Sequence, residues 1–180
     1  MKTFWIAAVV LLTSPLGLAQ DGGMPKPTKE HKLLAKNLGT RTGTMKMWVQ
    51  GPEAAPMETP FKETNTSIHN GFWVESKFEA GPYKGRGMSG YDPIKKKYIG
   101  TWINNMSPHL SVFEGTYDET ANELTMAFQD YDAMTGKLTD MKSVTSLAPD
   151  KPETMTMYKK DAKSGNWVMV FIMTYNDGEK

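Results

Sequence analysis

Between Gly90 and Leu110 the chain reads GYDPIKKKYIGTWINNMSPHL, which places Tyr91, Tyr98, Trp102, Asn104 and His109 within one short stretch. At a spacing of two, such residues share one face of adjoining strands. A face of that composition suits a pocket in which aromatic walls bury a mostly apolar molecule while Asn, Ser and His orient it. His109 has three chemistries open to it: hydrogen bonding to a ligand, general-base catalysis, or axial ligation of haem. A single histidine beside Asn and Ser also serves as a satisfied structural residue.

Two further residue sets carry chemistry. Glu63 is a candidate acid–base partner for His109, the pairing that a barrel isomerase or hydratase would need. The chain holds 14 methionines, and Met45-x-Met47 and Met155-x-Met157 put thioether pairs on single strand faces. Thioethers select Cu(I), with His109 as a possible additional donor, although methionine is also an ordinary filler of irregular cores and Met169 and Met173 fit that role. The sequence has no cysteine, which excludes disulfides, a thiolate nucleophile and Cys-based metal sites. His31 and His69 stand apart with no His-x-His or His-Glu-x-x-His spacing, so no three-ligand zinc site is indicated. Gly85-Arg86-Gly87 lies in a strand pattern with no helix behind it, and neither a P-loop nor a Gly-x-Ser-x-Gly elbow occurs. These absences favour a binding protein over an enzyme.

The N-terminus accounts for the compartment. Lys2, the apolar run 4–12, Pro15 and the small residues Gly17-Leu18-Ala19 form a cleavable secretory signal, too short to span a bilayer. Removing residues 1–19 from the 180 leaves 161, enough for one domain with a hydrophobic core. The shortened chain, without Lys2, has 20 basic and 20 acidic residues, which argues against nucleic acid as partner. No later segment has the length to cross a membrane. The expected location is the periplasm or the extracellular space.

Residues 20–27 read as a Gly/Pro-rich tether, and 28–180 as the single folded domain. It opens with one short helix in which Thr28 is the N-cap, Gly39 the C′ stop, and His31, Leu34, Ala35 and Leu38 the buried face. Beyond Gly39 the period is two. About nine or ten strands follow, near 41–50, 61–68, 72–80, 83–91, 97–104, 109–117, 122–129, 137–146, 153–160 and 166–175. Asn70-Gly71 suits a type I′ hairpin, and Asp92-Pro93, Thr135-Gly136 and Ser164-Gly165 mark other turns. Connections this short imply an antiparallel meander, which removes its edges by closing into a β-barrel; a β-sandwich is the rival architecture.

Strand parity then divides the side chains. With Lys84, Arg86, Glu75, Lys77, Glu79 and Glu114 facing water, Tyr83, Gly85, Gly87, Ser89 and Tyr91 face inward. So do Tyr98, Gly100, Trp102 and Asn104; His109, Ser111, Phe113, Gly115 and Tyr117; and Phe72, Val74, Ser76 and Phe78. Glu63, Asn65 and Ser67 share this face through the turn. If Tyr91 pairs with Tyr98, then Gly87 lies opposite Trp102, an indole over a glycine. The resulting candidate ligand-binding set is Phe72, Tyr91, Tyr98, Trp102, Asn104, His109, Ser111 and Phe113, around a small, largely apolar molecule.

Gly90-Tyr91-Asp92-Pro93, Lys97-Tyr98-Ile99-Gly100-Thr101-Trp102 and Met106-Ser107-Pro108-His109-Leu110 resemble the signature of an exported bacterial family catalogued as domain of unknown function 1579. Pro27-Thr28-Lys29-Glu30-His31 and Gly71-Phe72-Trp73-Val74 are similar to the same family. The resemblance implies a calycin-like fold, a small closed barrel with a cavity and a short helix near one end, and no assigned activity. Where a lipocalin's opening strand shows Gly-x-Trp, this chain has Gly39-Thr40-Arg41.

Overall fold

In the computed structural model, residues 25–48, 53–133 and 135–176 are described. The expected signal at 1–19 and most of the expected tether lie outside them. A helix α1 (Lys29–Leu34) runs into a 3-10 turn (Ala35–Asn37), and ten strands follow. These are β1 (Gly39–Met47), β2 (Met57–Ile68), β3 (Trp73–Ala80), β4 (Tyr83–Asp92) and β5 (Lys97–Asn104), then β6 (Ser107–Asp118), β7 (Glu123–Asp132), β8 (Lys137–Ser146), β9 (Thr154–Lys160) and β10 (Trp167–Tyr175). Each strand pairs antiparallel with the next, and β1 pairs with β10 to close the barrel. Closure settles the choice against a sandwich.

Local chemistry places the turns. Asp92 Oδ1 accepts from the Ile94 and Lys95 amides, and Asp118 Oδ1 from those of Thr120 and Ala121. Asp161 does the same for Lys163 and Ser164, so three hairpins share one Asx device. The β2–β3 connection differs from the two-residue I′ turn expected. His69, Asn70 and Gly71 all have positive φ (50°, 58° and 85°), and Phe72 stays in the loop instead of beginning β3. Gly39, with φ 99°, ends the helical segment as expected. Leu38, expected on the buried helix face, is 40 % exposed because the chain is already extended there.

The two faces of the sheet separate by charge. Outward, β1 to β4 carry ion pairs such as Lys46–Glu58 (2.9 Å), Lys84–Glu79 (3.6 Å) and Arg86–Glu75. Such exposed pairs contribute about 0–1 kcal/mol each, and their role is to keep this face in water. Inward, Met45, Phe61, Phe78, Ala80, Met173 and Tyr175 form one buried cluster, against which Met47, Tyr83, Trp102, Met155 and Phe171 pack. Each such side chain taken fully from water stabilises by about 1.5–3 kcal/mol. Glycines seat the rings: Gly87 faces Trp102 across β4–β5, as parity predicts, and the indole covers Gly85 as well. Phe113 covers Gly100, and Phe61 covers Gly43. Among the described residues no helix is long and apolar enough to cross a membrane.

Candidate functional site

The helix closes one end of the barrel through His31. Its Nδ1 accepts the Thr28 backbone N–H at 3.0 Å, which orients the ring, and its edge meets Phe72 (5.3 Å between centroids) and Tyr91 (5.9 Å). Tyr91 in turn packs edge-on against Tyr98 at 5.2 Å. His31 is only 5 % exposed and Tyr98 only 4 %, and burial pushes the Tyr98 phenol well above its ordinary value. Lys29, Lys32, Lys36, Tyr91, Tyr117 and Asn122 line a groove of about 450 Å³ beside this plug.

Next to the plug, a polar network joins the ends of the chain. Arg41 meets Glu153 with both terminal nitrogens (3.1 and 2.9 Å), and its guanidinium lies 3.8 Å from the Tyr175 ring centroid. Asn37 Nδ2 donates to Glu153 (3.1 Å), Asn65 Nδ2 donates to the Asn37 carbonyl (2.9 Å), and Ser76 Oγ donates to Asn65 Oδ1 (2.6 Å). Arg41, which stands at the lipocalin tryptophan position, thus ties the first strand to the last. Glu63, partly buried, lies here beside Tyr175, Asn65 and Arg41. Burial outweighs those partners and raises its carboxyl above the ordinary value; burial and the Glu63 charge raise the Tyr175 phenol.

Burial differs between the two halves of the inner wall. The walls of β1 to β5 are buried at Met45, Phe61, Val74, Phe78, Ala80 and Tyr98. The inward residues of β6 to β9 include Phe113, Phe128, Met141, Ser143, Met155 and Met157, all partly exposed although they face the barrel axis. Met126 of β7 and Ser111 of β6 are the buried inward residues on this side.

The ladder between β6 and β7 is incomplete. It runs from Asp118↔Glu123 only to Glu114↔Ala127, although both strands continue beyond it. In the unpaired part, Ser111, 2 % exposed, donates its hydroxyl to Asp130 Oδ1 at 3.1 Å and bridges the seam. A pocket of about 510 Å³ lies here, lined by inward Phe128 and Met141 and by outward Val112, Gln129 and Leu138. His109 lines it too, on a bulge where Pro108 to Leu110 of β6 face the single residue Ile103 of β5.

The sequence-derived site residues therefore fall into two groups. Phe72, Tyr91 and Tyr98 belong to the helix plug, with Phe72 packed under His31 in a loop. Trp102, Asn104, His109, Ser111 and Phe113 lie toward the other end. There the Trp102 indole N–H donates to Tyr83 (2.8 Å), and Phe113 packs edge-on to Phe128 at 6.3 Å. Asn104 Oδ1 accepts the Met106 amide (2.8 Å), a turn contact. Glu63 and His109 make no contact with each other among the described residues, because Glu63 is held in the network of β1, β2 and β10. Phe128, Asp130, Met141 and Met157 are the wall residues that sequence reading missed. The alternation on β7 and β8 was available as a signal, but little charge marks which face is outer.

The described residues thus form a closed ten-stranded antiparallel barrel with a short helix packed against one end. The chain belongs to the family described as "Protein of unknown function (DUF1579)", whose profile matches residues 26–176, from the helix plug to the last strand. None of the curated proteins matches the chain.

Proposed function

We propose that the protein is an exported carrier that binds a small, largely apolar molecule in the open half of its barrel. The observation that carries this reading is the asymmetry of the interior. Phe113, Phe128, Met141 and Met157 face the axis and keep accessible surface, while Met45, Phe61, Phe78, Ala80, Met173 and Tyr175 across the barrel are buried. The polar groups at this end, Ser111, Asp130 and His109, are few and lie at the seam, where they would orient a ligand head group while its apolar body lies against the rings. The β6–β7 gap is the route of entry. Export by the residue 1–19 signal would place the carrier in the periplasm or outside the cell.

Native mass spectrometry of protein purified from its own extracytoplasmic fraction tests this. The expected result is a bound mass in the small-molecule range, released by organic solvent. A ligand-free mass, together with no uptake of an added apolar fluorophore, would overturn the reading.

A further inference from the structure

The methionines that the sequence shows as two separate pairs are brought together by β10. Met45 of β1 lies directly across from Met173 of β10, and Met173 lies directly across from Met155 of β9. The three form one row on three adjacent strands, at about 5 Å between neighbours. All point inward, and on the concave face of a closed barrel side chains converge toward the axis. Met45 and Met173 are buried, and Met155 and Met47 pack against the cluster that contains them. Met47 sits one inward position further along, across from Phe171 and Met57.

We propose that Met45, Met173 and Met155 form a site for a soft monovalent cation, Cu(I) by preference. Three neutral thioethers are the donor set that selects Cu(I) over hard or borderline divalent ions. The flexible methionine stem lets three sulfurs meet at one point from positions that branched aliphatic side chains would fill more rigidly. The rings of Phe61, Tyr175 and Phe171 around the row provide π faces for the cation and exclude water. His109, the additional donor considered from sequence, lies at the β6–β7 seam and is not part of this row. The site shares no residue with Phe113, Phe128, Met141 and Met157, on which the carrier reading rests, although Met155 of β9 is itself partly exposed.

The experiment is a Cu(I) titration of the apoprotein under ascorbate against a chromophoric Cu(I) chelator. It is paired with Ag(I), a redox-silent substitute, in methyl-methionine NMR of the wild-type protein. The expected result is one Cu(I) retained per chain, lost in Met45→Leu and in Met173→Leu, with Ag(I) shifting the methyl signals of Met45, Met155 and Met173. Binding that survives both substitutions, no retention against the chelator, or Ag(I) shifts confined to exposed Met57, Met88 and Met106 would overturn the proposal. The NMR arm uses wild type, so its answer stands even if a leucine variant fails to fold.

Discussion

Trp102 shows how single residues shape the interior. Its indole rests on Gly85 and Gly87 and is held by the hydrogen bond to Tyr83. A methyl group at Gly85 would overlap the ring, so Gly85→Ala is expected to destabilise by about 1–3 kcal/mol, the range for overpacking a filled site. Urea denaturation reads the loss, and an altered tryptophan emission would report the displaced indole. This pair was legible in the sequence because Lys84 and Arg86 fix which face of β4 is wet. The buried network was not. Arg41, Glu153 and Tyr175 are far apart along the chain, and nothing local announces that β1 closes on β10. Arg41→Ala would leave the Glu153 carboxylate without its cationic partner in a largely buried setting, with only the Asn37 amide donating to it, and is expected to cost about 3 kcal/mol. Arg41→Lys should recover only part of it, since lysine cannot reproduce the two-nitrogen contact with Glu153 or the stacking on Tyr175. Equilibrium unfolding of both variants checks this.

Glu63 gives the network a pH signature. Its carboxyl is raised by burial, so the folded chain holds that proton more tightly than the unfolded chain does. The stability it contributes is fully present below the unfolded value and is lost as pH rises through the folded one. Glu63→Gln keeps a hydrogen-bonding group and removes the charge. It is therefore expected to raise Tm at about pH 8 and to change it little at about pH 4; thermal scans at the two pH values test the sign.

At the scale of elements, the helix depends on what it touches. Six residues are too few for a helix to hold itself in water, so α1 persists because His31 is gripped by Thr28, Phe72 and Tyr91. His31→Ala removes that grip. Amide exchange across 29–37 is expected to accelerate while the barrel strands keep their protection, a local opening that hydrogen-exchange mass spectrometry resolves. All ten strands could be read from the alternation of apolar and polar residues and from turn residues, to within a few positions at their ends. What escaped was conformational detail where several residues share a constraint. The run of three positive φ angles at His69–Gly71 moved Phe72 off β3 and under the helix. The β6 bulge likewise went unread, with Pro108 to Leu110 set against the single residue Ile103.

At the scale of the whole molecule, closure and asymmetry together define the account. The buried cluster is drawn from β1, β2, β3 and β10, and most inward residues of β6 to β9 keep accessible surface. Sequence parity found the aromatic face and the closed meander, but it could not say which half would be packed, because that depends on how rings from opposite strands meet across the axis. The most direct test is titration of the purified, ligand-stripped protein with 1-anilinonaphthalene-8-sulfonate, comparing wild type with Ser143→Phe. Ser143 lies across from buried Met126 and partly exposed Met157, so a phenyl ring there would occupy the proposed cavity. The account predicts saturable binding of one equivalent to wild type and its loss in Ser143→Phe with an unchanged circular dichroism spectrum. No binding to wild type, or equal binding to both, would contradict it.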